Sequence, residues 1–279
     1  MPQLSFPYLP AENLTPKIYL GLKELPDAED FPLHHTHIQF SHCYKRQTGW
    51  ERTLSRFPRG GGTLYDLEFL QDASGRRVAA FGYHAGYSGA ALALLNWAKQ
   101  IRDGESLGSI SYFSNDTTLV KLVTKAVNGA AQKNGGNAPR VLIIGALGRC
   151  GSGAVDLCEA AGVPASSILR WDMEETKGGG PFREIVESDI FINCIYLTQP
   201  IPPFVTKDSL ADPGRRLSVV CDVSCDPNNP HNPVPIYDDW TTFGKPTLPV
   251  EVEREPKLSV IAIGECLALF TDGLLEGTD

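Results

Sequence analysis

The chain has 279 residues and a net charge of −8, and 42% of its residues are hydrophobic. This composition is typical of a globular protein with one large domain or two smaller ones. The acidic balance argues against nucleic-acid binding, which needs a basic surface, and no apolar stretch approaches the ~18 residues of a membrane span. The N-terminal sequence lacks the pattern of a secretory signal, so we expect a cytoplasmic protein with no nucleic-acid or membrane partner and with mostly reduced cysteines.

The first hundred residues predict several strands and one long helix. Apolar residues at 17–23 and 37–40 predict two short strands. Two further strands are predicted at 64–70 and 77–83. Residues 89–101 have apolar positions at helical spacing and predict a long helix.

The pattern is plainer beyond residue 138. A strand is predicted at 141–144, then a glycine-rich turn, a helix at 154–161 and a strand at 168–171. Further buried strands are predicted at 189–195, 217–223 and 260–263. This alternation predicts an α/β fold in which helices cover both faces of a parallel sheet.

The glycine-rich turn is a candidate dinucleotide site. Gly145, Gly148, Gly151 and Gly153 lie between a predicted strand and helix, where glycine permits a tight turn and helix amides can bind a pyrophosphate. The spacing differs from the strict GxGxxG motif, so an ordinary glycine-rich turn stays the alternative. Asp172 lies 21 positions (172 − 151) after Gly151, at the end of the next strand. An acid there binds the adenosine ribose and repels a 2′-phosphate, which favours NAD over NADP.

Four of the six histidines fall within residues 33–42. A metal site is one interpretation, because His35 and His37 would share a face of a strand. However, neither Cys43 nor a carboxylate completes a familiar ligand spacing. We therefore predict no metal.

Acid–base chemistry is another interpretation of this region. Lys23 ends one predicted strand and His42 follows another, and such strand ends border the cleft of doubly wound folds. Spacing alone does not rank these two residues above Lys45 or His84.

Nine segments together resemble one known family, the fungal saccharopine dehydrogenases that are NAD-dependent and lysine-forming. The resemblance runs in consistent order from about residue 17 to about residue 263. The segments are GLKELP, FPLHHTHIQFSHCYK, RFPRGGGTLYDLEFL, GRRVAAFGYHAGYSGAALALLNWA, VLIIGALGRCGSGA, ILRWDMEET, GGPF, DIFINCIYL and NPHNPVPIY.

The resemblance implies an oxidoreductase acting on a CH–NH group. The implied reaction is NAD-dependent oxidative cleavage of saccharopine to L-lysine and 2-oxoglutarate, the last step of lysine biosynthesis by the aminoadipate pathway. The implied fold has two Rossmann-like domains with parallel sheets and a substrate cleft between them. We place an N-terminal catalytic and substrate domain at 1–83, an NAD-binding domain at 84–263, and a short segment returning to the first domain at 264–279. A monomer is expected.

The family's motifs carry over onto particular residues of this chain. Lys23 of GLKELP and His42 of FSHCYK match the two acid–base residues, and Glu68 matches an acid that tempers positive charge near them. The implied substrate contacts are Gln47, Arg76 and Phe81. The implied cofactor contacts are Gly148, Arg149, Asp172, Thr176, Tyr196 and Val223.

These residue types suit the implied chemistry. Hydride transfer to the nicotinamide leaves an imine, water adds to it, and the carbinolamine collapses to release lysine. A lysine can act as the base only if its pKa falls well below ~10.4, whereas a histidine near ~6.5 exchanges protons readily at neutral pH. Which of Lys23 and His42 performs each proton transfer stays open.

Two cysteines fall at the predicted cofactor site. Cys150 lies in the glycine-rich turn, and Cys194 lies in the predicted strand at 189–195. Neighbouring strand ends could bring them close together, although two small buried side chains without a role are the alternative. We predict that modification of Cys150 blocks NAD binding.

The chain departs from the family's pattern at both ends. The family has βα units with a substrate-binding arginine before GLKELP, and an Asp-His-Leu segment after the last strand, where this chain has Gly264-Glu265-Cys266. We therefore expect truncated or altered termini and an incomplete first domain. A catalytically impaired NAD-binding fragment is one alternative, and another alanine-dehydrogenase-like amino-acid oxidoreductase is the second.

Overall fold

A computed structural model describes residues 17–21, 25, 29–41, 43–45, 49–75, 77–113 and 115–262 of the chain. The structure divides into two compact units, with the border between Ala80 and Phe81. This border lies close to the predicted end of the first domain. The three predicted domain ranges stay a prediction, because 264–279 lie outside the described residues.

The first unit contains a three-stranded parallel sheet. Its strands, in the order β1-β2-β3, are β1 (Ile18–Leu20), β2 (Thr36–Gln39) and β3 (Thr63–Asp66). Helix α1 (Trp50–Gly60) lies between β2 and β3 in the chain, and its buried Phe57 packs in a small apolar cluster. The sequence predicted β1 and β2 but missed α1.

Two predictions for the first unit need correction. The predicted strand at 64–70 ends at Asp66, because the Asp66 carboxylate accepts a 3.1 Å hydrogen bond from the Glu68 amide and starts a 3₁₀ helix at Leu67–Phe69. The predicted strand at 77–83 is wrong. Its first residue forms only an isolated bridge, and its last two residues begin a helix that packs against the second unit's sheet.

The second unit is built on a six-stranded sheet with the order β5-β4-β6-β7-β9-β8. All neighbouring pairs are parallel except β8 with β9. The bounds are β4 (Val141–Ile144), β5 (Ile168–Trp171), β6 (Ile190–Asn193), β7 (Val219–Asp222), β8 (Leu248–Val250) and β9 (Leu258–Ile261). The predicted parallel sheet is confirmed.

Helices cover mainly one face of this sheet. The long helix α2 (Gly82–Asp103) packs there with α3 (Asp116–Lys133) and α4 (Arg149–Ala160). The other face is covered by the short helix α6 (Arg183–Val186) and by loops, so the prediction of helices on both faces holds only in part. In the part of the chain that the structure describes, no helix is long and apolar enough to cross a membrane.

Candidate nucleotide-binding site

The strand order of the second unit creates a topological switch point between β4 and β6. The chain passes from β4 outward to β5 and then returns to the other side of β4 to form β6. In doubly wound sheets, ligands bind beyond the carboxyl ends of the strands at such a point. Gly148, Asp172, Tyr196 and Val223 each follow the carboxyl end of a different one of the neighbouring strands β4, β5, β6 and β7. The structure thus brings these four predicted site residues to the same side of the sheet, at the carboxyl ends of its strands.

The turn after β4 requires glycine for steric reasons. Gly145 has a φ of +83°, and its amide donates a 2.9 Å hydrogen bond to the Trp171 carbonyl. A Cβ at Gly151 would lie 2.1 Å from the Gly145 carbonyl oxygen, so α4 approaches the turn too closely for any side chain there. Gly148 precedes α4 and supplies no side-chain cap, so the first turn of α4 can offer its amides to an anion. Arg149, the first residue of α4, is exposed.

Asp172 is held against this turn by hydrogen bonds. Its carboxylate accepts from the Leu147 amide at 3.0 Å and from the Met173 amide at 3.0 Å. The buried Thr176 donates its hydroxyl to the Asp172 carbonyl oxygen at 2.8 Å, and this bond helps to hold the Asp172 backbone in place. The flanking Leu147 and Met173 side chains are 83% and 76% exposed. Helix α5 (Met173–Thr176) is capped by the same carboxylate.

Tyr196 lines a small polar cleft beyond β6 and β7, and Val223 directly follows β7. Tyr196 is 56% exposed and donates its hydroxyl to Asp226 at 3.3 Å. The Val223 amide donates to the Asn193 carbonyl at 3.0 Å, and its side chain packs where a Cβ on Gly89 of α2 would lie only 2.8 Å away. Asn193, Tyr196 and Asp226 line the cleft together.

The same end of the sheet carries a buried acid that was not predicted from the sequence. Asp222 ends β7, and it accepts hydrogen bonds from the Asn193 side-chain amide at 2.9 Å and from the Tyr237 hydroxyl at 2.8 Å. Burial raises the pKa of Asp222 to about 6. The available signal was that Asn193 and Asp222 each end an otherwise apolar strand.

Cys150 and Cys194 lie in contact, a point that the sequence left open. The two thiols are free and hydrogen-bonded to each other, and this bond together with burial raises the pKa of Cys194 well above its ordinary value. Cys150 belongs to the first turn of α4, so its thiol lies at the candidate phosphate-binding turn.

We expect NAD to slow the alkylation of Cys150 strongly, because a cofactor bound at the first turn of α4 would cover that thiol. The measurement is iodoacetamide labelling with and without NAD, read by mass spectrometry of the separate cysteine peptides. Cys158 serves as an internal reference, since burial raises its pKa to about 12 and leaves it unreactive in both samples. Labelling of Cys150 at the same rate with saturating NAD would place that thiol away from the cofactor.

The predicted site residues of the first unit are only partly described. Lys23, His42, Gln47 and Arg76 lie outside the described residues. Glu68 is buried, and its carboxylate forms a 2.8 Å salt bridge with the Arg77 guanidinium. Arg77 was not among the site residues predicted from the sequence.

Phe81, the remaining predicted substrate contact, precedes the first residue of α2. Its carbonyl accepts a 3.0 Å hydrogen bond from the Ala85 amide. Nearby, Gly82 lies against the turn of the cofactor site, since a Cβ placed on it would be 3.7 Å from the Cys150 nitrogen. The start of α2 and the start of α4 therefore lie side by side.

Within the histidine cluster, His37 has the environment of a core side chain. His37 is buried, its ring stacks on Tyr19 at 5.3 Å, and it meets the edge of Phe57 at 5.5 Å. Burial lowers the pKa of His37, and the nearby charges of His35 and Arg56 lower it further. Among the described residues, no group of three or more metal-ligating side chains occurs.

The chain is similar to fungal proteins with one shared name. "Saccharopine dehydrogenase [NAD(+), L-lysine-forming]" of Yarrowia lipolytica is 59% identical over 256 residues, which cover 91% of this chain and 69% of that protein. The Schizosaccharomyces pombe protein of that name is 56% identical, with 94% and 73% covered. The Neurospora crassa protein is 55% identical, with 97% and 71% covered. No protein-family model matches the chain.

A solved structure supports the fold. An L-alanine dehydrogenase superposes with a TM-score of 0.54 and 13% identity, covering 91% of this chain and 66% of that one. This likeness confirms the α/β Rossmann-type fold and nothing more specific. The fungal relatives, in contrast, are more than half identical over more than two thirds of their own length. The chain therefore belongs to the family of NAD-dependent, L-lysine-forming saccharopine dehydrogenases.

Proposed function

We propose that this chain is an oxidoreductase that uses NAD to cleave saccharopine into L-lysine and 2-oxoglutarate, in lysine biosynthesis by the aminoadipate pathway. The observation that carries the proposal is the 59% identity with a fungal protein named for this activity. The cytoplasmic location and the monomeric state expected from the sequence stay part of the proposal.

The residues at the carboxyl edge of the second unit fit NAD. The absence of side chains at Gly145 and Gly151 lets α4 approach the end of β4 closely, so that the amides of its first turn can bind a pyrophosphate. Asp172 is oriented by the Leu147 amide and presents a negative charge where the adenosine ribose would lie. A carboxylate at that place accepts hydrogen bonds from ribose hydroxyls and repels the phosphate of NADP.

The proposed chemistry divides between the cofactor and the first unit. NAD, when bound, accepts a hydride from the substrate carbon that carries the secondary amine. We assign the removal of the amine proton, the addition of water and the protonation of the leaving amine to Lys23 and His42. Gln47, Arg76 and Phe81 are the proposed substrate contacts. The Glu68–Arg77 salt bridge balances one positive charge of this region with a buried carboxylate.

Neither alternative is favoured by an observation. The likeness to an alanine dehydrogenase has 13% identity and so shows the fold alone. Nothing in the described residues of the cofactor site indicates a loss of NAD binding, because Gly148, Asp172, Tyr196 and Val223 lie at one edge of the sheet.

The experiment is a spectrophotometric assay of the purified chain. We expect NADH to form from saccharopine and NAD, with lysine as a product and with much slower reduction of NADP. Two control reactions are run beside it, one with alanine and NAD and one with saccharopine and no cofactor. Oxidation of alanine in preference to saccharopine would favour the alanine-dehydrogenase-like alternative. Binding of NAD without turnover of either amino acid would identify an impaired NAD-binding protein.

A further inference from the structure

Asp222 connects the ends of β6 and β7, the two strands that are followed by the proposed cofactor contacts Tyr196 and Val223. Its carboxylate is 2% exposed and accepts hydrogen bonds from the side chain of Asn193, from the Tyr237 hydroxyl and from the Ser224 amide. Asn193 ends β6, and Asp222 ends β7. Three hydrogen bonds to one buried carboxylate thus join β6, β7 and the segment around Tyr237.

The same network fixes the backbone next to the proposed cofactor contacts. The Asn193 side chain donates to the Ile195 carbonyl at 3.1 Å and accepts from the Ile195 amide at 3.2 Å. Ile195 directly precedes Tyr196, and the Ser224 amide bonded to Asp222 directly follows Val223. A change at Asp222 would therefore be transmitted to both cofactor contacts through one hydrogen bond on each side.

The surroundings of Asp222 favour uptake of a proton near neutral pH. Burial raises its pKa to about 6, although the hydrogen bonds from Asn193 and Tyr237 act in the opposite direction. Among the residues that the structure describes, the ionisable side chains Cys194, Cys225, Asp226 and Tyr237 interact with it electrostatically, and all four are acids. None of these four side chains carries a positive charge that could stabilise the ionised Asp222 carboxylate.

The hydrogen-bond donors around Asp222 determine which of its carboxylate oxygens would carry the added proton. Asn193 must keep donating to one carboxylate oxygen, because both polar atoms of its side chain are also bound to Ile195. The Tyr237 hydroxyl can rotate and accept instead, so the proton would lie on the oxygen that faces Tyr237. Protonation therefore reverses one hydrogen bond and removes the charge that strengthens the other two.

We propose that Asp222 is a positioning residue for the cofactor, and that its ionised form holds the ends of β6 and β7 in the arrangement that binds NAD. The inference rests on the proposed function, since it concerns the same NAD site. If only the ionised form binds, the apparent affinity is the intrinsic affinity multiplied by the ionised fraction. With a pKa of about 6 for Asp222, NAD should bind roughly tenfold more weakly at pH 5 than at pH 7.

Calorimetric titration of NAD between pH 5 and pH 8 tests this inference with four proteins. The parent chain should lose affinity below about pH 6. Asp222→Asn should bind weakly and with no such loss, because its side chain does not titrate. Tyr237→Phe removes a donor to the carboxylate, so the loss should begin at higher pH. Asp238→Asn is the matched control at an exposed neighbour, and it should behave like the parent.

Three results would overturn this inference without affecting the proposed function. The pH dependence of NAD affinity could persist in Asp222→Asn, or it could stay at the parent's pH in Tyr237→Phe. It could also shift as much in Asp238→Asn as in Tyr237→Phe. Circular dichroism shows whether Asp222→Asn is folded. If it is not folded, the comparison of Tyr237→Phe with the parent decides whether Asp222 controls the pH dependence of NAD binding. A parent chain that fails to bind NAD at any pH would overturn the proposed function as well.

Discussion

Replacement of Lys23 by Met together with His42 by Gln should abolish most of the saccharopine-dependent NADH formation and leave NAD binding unchanged. General acid–base catalysis by one positioned side chain contributes on the order of 10²- to 10⁴-fold to the rate, so the loss of two such groups should exceed the loss of either alone. Cofactor affinity should persist, because the proposed NAD contacts of the second unit are intact. Steady-state kinetics and calorimetry with NAD measure the two quantities separately.

A matched control for this double variant is available on the surface of the second unit. Lys121 is exposed on α3, and Lys121→Met removes the same kind of side chain from a helix that carries none of the candidate site residues. Turnover of Lys121→Met should equal that of the parent. If the double variant also turned over saccharopine at the parent's rate, the acid–base assignment of Lys23 and His42 would be wrong.

The NAD-binding half of the fold could be predicted from local sequence. β4 and β5 have the predicted bounds, because each is a run of four mostly apolar residues followed at once by a turn or cap residue. Asp172 ends the second run, and its side chain does cap the helix that follows. Such signals act over a few residues, so they can be recognised without the tertiary structure.

The helix α3 was missed although its signal is present in the sequence. Its buried residues Leu119, Val123, Val127 and Ala130 are spaced by three or four positions, as expected for one face of a helix. Helix α1 gives a weaker signal, because Arg56 and Phe57 are its only described buried residues and Pro58 lies within it. The wrong strand at 77–83 shows that a short apolar run does not distinguish a strand from the start of a helix.

The contacts of the candidate site depend on distances that no local pattern encodes. Tyr237 lies 15 positions after Asp222, and Asn193 lies 29 positions before it, yet both bond to the same carboxylate. The sequence suggested only that the ends of neighbouring strands could bring Cys150 and Cys194 close together. The contact of Cys150 with Cys194 could be predicted on that ground, because β4 and β6 are neighbours in the sheet.

A second large effect is expected from Gly153→Ala, which should destabilise the second unit and weaken NAD binding. A Cβ on Gly153 would lie 2.0 Å from the Tyr83 carbonyl oxygen and 3.1 Å from the Tyr87 nitrogen, both backbone atoms of α2. A Cβ on Gly86 of α2 would likewise lie 1.8 Å from the Cys150 carbonyl oxygen, so neither helix can yield locally. Overpacking of this kind costs about 1–3 kcal/mol, and sometimes more, of the free energy of unfolding.

The matched control is another glycine inside a helix, and it should change stability in the opposite direction. Gly129 lies within α3, and a Cβ there would meet only the Arg102 side chain, at 4.0 Å. Gly129→Ala should therefore raise the free energy of unfolding, since alanine is favoured over glycine in a helix by about 1 kcal/mol. Urea unfolding measures both variants, and calorimetry measures their NAD affinity. Because α4 also carries Gly148 and Arg149, displacement of α4 from α2 should weaken NAD binding only in Gly153→Ala. Equal stability of Gly153→Ala and the parent would contradict the close approach of the two helices.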